Sequence, residues 1–288
     1  MARLPITLVV NADDFGLSER INQGIESAFR QGVLRSASLM PNGAAFDDAV
    51  QVALRNPGLG VGVHISLVDE RCVASCEQVR GLIDKDGLLP RSYGAFIKAY
   101  VMRKFGAREI NAEVDAQVAR ALDTGIKFTH IDSHQHLHVL PSILDTVLGA
   151  AKSAGIGVVR VPLEQGAFSS RMFSMRGIQI AAFTLLARAC GKKALRAGMR
   201  FADHFWGLDA SGRMDEAHLL GVLKRLPGGV NEIMMHPGFS DAETHTRYHW
   251  GYRWDDEASA LVSESVREII QERGIRLANF ATAWEEVG

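Results

Sequence analysis

Residues 130–141 read HIDSHQHLHVLP, which places His130, His134, His136 and His138 within nine positions, with Asp132 among them. Four of the chain's ten histidines thus stand in one stretch, a density that suits metal ligation or proton transfer. Near the start, NADDFG sets Asp13 beside Asp14. Adjacent carboxylates at a strand end point in different directions, so one can bind a cation while its neighbour handles a proton. The plainer reading of the pair is a helix N-cap or a turn, although Ser18 is the better cap for the helix that follows. His64 closes the apolar run LGVGVHISL and His236 stands in MMHPGF. Taken singly, His64 reads as a hydrogen-bonded core or rim residue, and His236 equally as a ring locked by the Pro-Gly turn.

Period-two alternation would set Asp132, His134, His136 and His138 on one face if the stretch stays extended. One face is not one metal site. Side chains two apart on a strand are separated by two rises of ~3.3 Å, so neighbours can straddle a cation but four cannot converge on it. The pattern predicts one ligand, one or two substrate contacts, and structural histidines at the edges.

The elements that must position these groups alternate. ITLVV, SASLM, LGVGV, KFTHID, GVVRV, HFWGL, NEIMM and IRLANF read as short strands, separated by helical patterns that include one long helix through DEASALVSESVREIIQERG. Such alternation predicts an α/β fold with parallel strands and crossover helices, here a single TIM-like (β/α) barrel domain spanning residues 1–288 with seven or eight mainly parallel strands and room for irregularity. No Gly-rich dinucleotide fingerprint follows the first strand. In such barrels, functional groups collect at the carboxyl ends of strands, where Asp13, Asp14, His64, Asp132, His134 and His236 all fall.

Composition narrows the partners. The formal net charge is −1, with 32 basic and 33 acidic residues, so no global field favours nucleic acid. The apolar runs are too short to span a bilayer and no signal-peptide pattern is present, which predicts a cytoplasmic protein. Cys72, Cys76 and Cys190 lack disulfide or thiolate-zinc spacings and read as ordinary thiols.

NADDFGLS, VGVHISL, THIDSHQHLH and EIMMHPGF, in that order and spacing, resemble the YdjC-like carbohydrate deacetylases, which include chitooligosaccharide deacetylases. The similarity covers most of the chain, and the four motifs together are highly specific. The resemblance implies one divalent metal ion held by Asp14, His64 and His134, with Asp13 as general base. Asp plus two imidazoles leaves coordination positions open, and mixed ligands of this kind suit zinc and several neighbouring metals, with magnesium as the alternative. Asp132 is expected to orient an imidazole, His136 to contact sugar, and His236 to serve as general acid.

The implied reaction removes an N-acetyl group from an N-acetylglucosamine-containing substrate and releases acetate. Between Gln165 and Ala202 there is no acidic residue, while basic residues flank an apolar run around Phe183, Leu185 and Leu186. That segment, 171–200, suits peripheral contact with the inner membrane surface, and RYHWGYRW adds aromatic surface for stacking on sugar or burying lipid. Together these features resemble the hopanoid-biosynthesis branch of the family and point to an N-acetylglucosaminyl hopanoid lipid, with a soluble chitooligosaccharide as the alternative substrate. Two rivals differ in class: a non-catalytic sugar- or lipid-binding barrel, and a metal phosphoesterase. Asp13 discriminates the first of these, since a receptor needs no carboxylate beside a metal-binding one.

Overall fold

The computed structural model describes residues 4–164 and 175–285. Along the chain run β1 (Ile6–Phe15), α1 (Glu19–Gln31), β2 (Ser36–Leu39), α2 (Phe46–Arg55), β3 (Gly60–Ile65), α3 (Tyr93–Val101), α4 (Ala107–Leu122) and β4 (Ile131–Ser133). They are followed by α5 (Pro141–Ser153), α6 (Met175–Arg196), β5 (His204–Trp206), α7 (Glu216–Leu223) and β6 (Gly229–Met235). The last elements are α8 (Ala242–Arg247), α9 (Trp254–Val262), α10 (Glu264–Glu272) and β7 (Arg276–Leu277).

Every strand pairing is parallel, in the order β4-β3-β2-β1-β6-β5, with β7 against the start of β1. β1 is buried over nearly its whole length because side chains on both of its faces meet other protein, as a parallel sheet with crossover helices requires. The two outer strands are joined by the segment 158–164 through single parallel bridges, Ile131↔Val159 beside β4 and Glu164↔Phe205 at β5. The expected α/β barrel with seven mainly parallel strands is therefore present.

Three local expectations need correction. GVVRV was expected to be a strand and contributes only isolated bridges. The helix expected through residues 256–274 is broken at Ser263, whose φ of −61° and ψ of 141° are extended, and whose hydroxyl donates to Glu216 at 2.7 Å. The histidine stretch does not stay extended: β4 stops at Ser133, and His134–Val139 turns in a 310 segment with Gln135 and His136 in the left-handed region.

The helix after β1 follows its local chemistry. Ser18 caps α1 by accepting from the Ile21 amide at 3.2 Å, as its sequence suggests, and Ile21, Ile25 and Ala28 face the core at helical spacing. Gly24 on this helix lies against the turn that follows His236, so close that a Cβ there would sit 2.4 Å from the Gly238 Cα. Gly24→Ala is expected to cost about 1–3 kcal/mol by overpacking this backbone contact, read as a lowered denaturant midpoint at unchanged m-value.

Candidate active site

The two N-terminal carboxylates owe their placement to a β-bulge. Asn11 and Ala12 pair with Ser36 and Ala37, but Phe15 pairs with Leu39, so β1 carries one extra residue at the Asp13–Asp14 step. Asp14 takes a φ of 63°, a conformation that costs a non-glycine residue energy and recurs at functional sites. In a regular strand, adjacent side chains would leave on opposite faces. Here both reach groups at the carboxyl ends of the strands: Asp13 meets Arg160, and Asp14 meets His134 at 2.8 Å.

Asp14, His64 and His134 converge although they come from three different strand ends. One donor atom from each lies within 4.8 Å of the other two. His64 Nε2 is 3.5 Å from Asp14 Oδ1, and the two imidazole rings meet edge-on at 5.7 Å. Asp132, paired in register with His64, contacts the His64 Nδ1 at 2.8 Å and thereby directs Nε2 toward Asp14. Its other oxygen accepts from Ser38 and faces Arg160 at 2.8 Å.

The remaining histidines of the cluster separate by environment. His130 bonds to Ser38 and Thr129 and packs on Phe280 at 4.3 Å. His138 lies between the Ser133 hydroxyl and the Arg160 carbonyl, and burial lowers its pKa to about 4. Both are structural, as expected for the edges of the cluster. His136 is also buried, with Phe183 at 6.1 Å and Phe205 at 5.9 Å, and the turn at Gln135 removes it from the face it would share with His134 on a strand.

The centre of the network is Arg160, which the sequence analysis did not single out. Its guanidinium forks onto Asp13 at 2.6 and 2.7 Å, while its Nε donates to Glu232 at 2.6 Å. It is fully buried among three carboxylates counting Asp132. Burial pushes Glu232 up to about 7 even with Arg160 beside it. The signal was legible: GVVRV and NEIMM each place a charged residue inside an apolar run, and a buried charge requires a partner.

His236 directly follows β6, its ring tilted against Tyr252 with centroids 4.6 Å apart, and its Nδ1 is buried and free of hydrogen bonds among the described residues. The aromatic segment lies over the same end of the sheet. Trp250 approaches His134 at 5.0 Å and Tyr248 at 4.7 Å, and the Tyr248 hydroxyl donates to buried Glu70 at 2.6 Å, as does Arg247. Asp69, also left-handed at φ 66°, approaches His134 Nε2 at 3.8 Å and was likewise missed.

The donor set fits a divalent metal ion. Asp14 Oδ2, His64 Nε2 and His134 Nε2 are buried and lack hydrogen-bond partners among the described residues, which is costly for polar atoms unless something else satisfies them. Burial by itself would raise the Asp14 carboxyl, yet His134, His64 and His236 hold it well below the ordinary range. Burial opposes protonation of His64, but Asp132 and Asp13 raise its pKa to about 10, so the position attracts positive charge strongly. A second cluster of Asp13, His64 and Asp132 is geometrically close, but Arg160 already engages both of its carboxylates.

A family model described as YdjC-like protein matches residues 7–272. The chain belongs to the YdjC-like family. Among its relatives in that similarity, a carbohydrate deacetylase of Thermoanaerobacter pseudethanolicus is 27% identical over 274 residues, covering 95% of this chain and 98% of the relative. The human carbohydrate deacetylase is 33% identical, covering 83% of this chain and 77% of its own length. A chitooligosaccharide deacetylase of Salmonella typhimurium is 32% identical and covers 95% and 97% of the two chains. A crystal structure from Enterococcus faecalis, provisionally named a cellobiose-phosphate cleavage protein, superposes with a TM-score of 0.78 at 27% identity, covering 96% of this chain and 98% of that one. This YdjC-like chain thus shares its architecture along almost its full length with a solved relative.

Proposed function

We propose that this YdjC-like chain, residues 1–288, is a metal-dependent carbohydrate deacetylase that hydrolyses the N-acetyl group of an amino sugar of the chitooligosaccharide kind. The observation that carries this reading is the convergence of Asp14, His64 and His134, one donor atom from each within 4.8 Å of the other two, beside a carboxylate fixed by an arginine. The names of the relatives supply the substrate class.

Asp14, His64 and His134 would hold the ion, which when bound supplies Lewis acidity toward the acetyl carbonyl and toward water. Asp13 takes the proton from the attacking water. Its Oδ1 already accepts from Asn11 and Arg160, whereas among the described residues Oδ2 accepts only from Arg160, which leaves it a lone pair. The Arg160 fork fixes the direction of that lone pair, and Asp132 fixes the His64 ring. His236 delivers a proton to the departing nitrogen, since an amine leaves far more readily neutral. Water oxygen is thereby joined to the acetyl carbon, the C–N bond breaks, and acetate and the free amino sugar are released.

Mass spectrometry of the protein incubated with chitobiose tests this reading. Loss of an acetyl group is the expected result; hydrolysis of a chromogenic phosphate ester with no acetate from any N-acetylated sugar would replace it with a phosphoesterase. Dialysis against a chelator is expected to abolish acetate release and lower the unfolding temperature, and one equivalent of zinc or magnesium should restore both, because a ligand that binds only the folded state stabilises it. Unchanged activity at a metal content below one-tenth per chain would refute the metal assignment.

A second substrate reading, an N-acetylglucosaminyl hopanoid lipid, is favoured by α6, where Leu185 and Leu195 are 64% and 63% exposed. Arg188, Lys192, Lys193 and Arg196 stand on the same helix, a combination that suits an anionic membrane surface. Arg171 and the side chain of Arg176, part of the same expected segment, lie outside the described residues. Among the described residues no helix is long and apolar enough to cross a membrane. Acetyl loss from the glycolipid but not from chitobiose would select this reading.

A further inference from the structure

The two imidazoles of the convergent trio turn different nitrogens toward Asp14. For His64 the facing atom is Nε2, 3.5 Å from Asp14 Oδ1, while Nδ1 meets Asp132 at 2.8 Å. For His134 the order is reversed: Nδ1 lies 2.8 Å from that same Asp14 oxygen, and Nε2 is buried with Asp69 Oδ2 3.8 Å away. We propose that Asp69 is the positioning carboxylate of His134, holding the proton on Nε2 so that Nδ1 is the nitrogen offered to the metal, as Asp132 does for His64 in the opposite sense. The inference rests on the assignment of the ion to Asp14, His64 and His134 above, and adds which nitrogen of His134 is the ligand and what fixes it.

The chemistry of a ligand imidazole requires such a partner. The ring binds a metal as the neutral form, with a lone pair on one nitrogen and the proton on the other. A carboxylate beside the protonated nitrogen fixes the tautomer and the ring plane and makes the ligand nitrogen more basic. His134 Nε2 has no hydrogen-bond partner among the described residues, and Asp69 is the carboxylate that stands beside it. This buried nitrogen is therefore satisfied by Asp69 rather than by the ion. The two side chains are 4% and 14% exposed, and closing their gap by about 0.8–1 Å makes a hydrogen bond of ordinary length. Asp69 is not a fourth ligand, since the donor groups that converge among the described residues do not include it.

The backbone is built around this carboxylate. Asp69 has a φ of 66° and Gln135 a φ of 52°, both left-handed. The two meet: Gln135 Nε2 donates to Asp69 Oδ2 at 3.1 Å, and Gln135 Oε1 accepts from the Tyr93 amide at 3.0 Å. Such conformations are uphill for a residue with a Cβ and persist where neighbours over-determine them. Around Asp69 they do. Its amide donates to the Pro90 carbonyl at 3.0 Å, and the Leu89 amide donates to the Glu70 carbonyl at 2.9 Å. From α4, buried Gln117 donates to the Ser66 carbonyl at 2.6 Å and accepts from its amide at 3.0 Å, while buried Glu113 accepts from the Val73 and Ala74 amides. The loop is thus held on both sides of Asp69. The turn that breaks the histidine stretch after Ser133 has the same purpose, because it brings Gln135 to Asp69 and leaves the His134 ring between Asp69 and Asp14.

The test is the zinc affinity of the full chain, measured by competition with a chromogenic chelator for wild type, Asp69→Asn and Asp69→Gly. Glycine adopts a φ of 66° freely and asparagine tolerates it, so both variants should keep the unfolding temperature of the metal-free chain within about 4 °C of wild type. Zinc binding should weaken by about 10–100-fold. The loss is smaller in Asp69→Asn, whose amide oxygen still accepts from Nε2, and the rise in unfolding temperature on adding zinc should shrink in step. Nitrogen-15 spectra of zinc-loaded wild type should place the His134 proton on Nε2 and the His64 proton on Nδ1. The opposite tautomer at His134 overturns the inference, as does wild-type affinity in both variants. A raised KM at unchanged affinity would make Asp69 a substrate contact, and loss of zinc stoichiometry at saturating metal would make it a ligand; either result also overturns it. If Asp69 governs affinity as expected but no sugar loses acetyl, the deacetylase reading fails while the role of Asp69 stands. If wild type binds no zinc, the metal assignment falls and this inference with it.

Discussion

Asp13→Asn is expected to reduce acetate release by about 10²–10⁴-fold, the contribution usual for a positioned general base, while leaving the metal content at the wild-type ratio. The asparagine is nearly isosteric, so its oxygen can still accept from Arg160, but it cannot take a proton from water. Asp14, His64 and His134 are untouched by the change, and Asp13 is not a member of that convergent trio. Arg160 keeps Asp132 and Glu232 as counter-charges, so the variant should fold, at a cost of about 1–3 kcal/mol for the imperfectly satisfied guanidinium. Acetate release, elemental analysis and chitobiose titration on one preparation decide the matter. Retained turnover would move the base elsewhere, with Asp69 the nearest alternative carboxylate to His134. Retained binding in a wild type that shows no turnover would instead favour a receptor.

The positions of the proposed ligands were more legible in the sequence than the backbone that turns them inward. The strand ends that carry Asp14, His64 and His134 were legible because each residue closes or follows an apolar run, and a parallel barrel gathers such positions at one end, but the choice of these three as a ligand set came only from the resemblance to the YdjC-like family. The bulge that turns Asp14 inward was not legible, since neither Ala12 nor Phe15 carries a glycine or proline signal. The same holds for the turn at Gln135 and His136: a left-handed pair of non-glycine residues contradicts local preference and persists only because the surrounding contacts over-determine it. Period-two reasoning therefore placed His136 beside His134, and the backbone separated them. Arg160 and Glu232 were missed for a different reason. Their runs were read for periodicity alone, when the charge inside each run was itself the information.

Arg160→Leu is expected to destabilise the fold by about 3–5 kcal/mol, because it leaves Asp13, Asp132 and Glu232 buried without their shared cation. At roughly 2–4 °C per kcal/mol for a chain of this size, the unfolding temperature should fall by about 6–20 °C. The pH dependence has a definite sign. Glu232 titrates near 7 in the folded protein against an ordinary 4.5, so the folded state binds the extra proton and stability falls as pH rises from about 4.5 to about 7. Without the guanidinium that opposes this shift, the loss should steepen and extend above pH 7, so the variant recovers part of its deficit in mildly acid solution. Arg160→Lys separates charge from geometry: an ammonium can offset the carboxylates but cannot fork onto both oxygens of Asp13. Lysine should therefore restore most of the melting temperature while kcat stays low. Recovery of both together would mean that Arg160 serves only to neutralise charge and that the orientation of Asp13 is set by Asn11 alone.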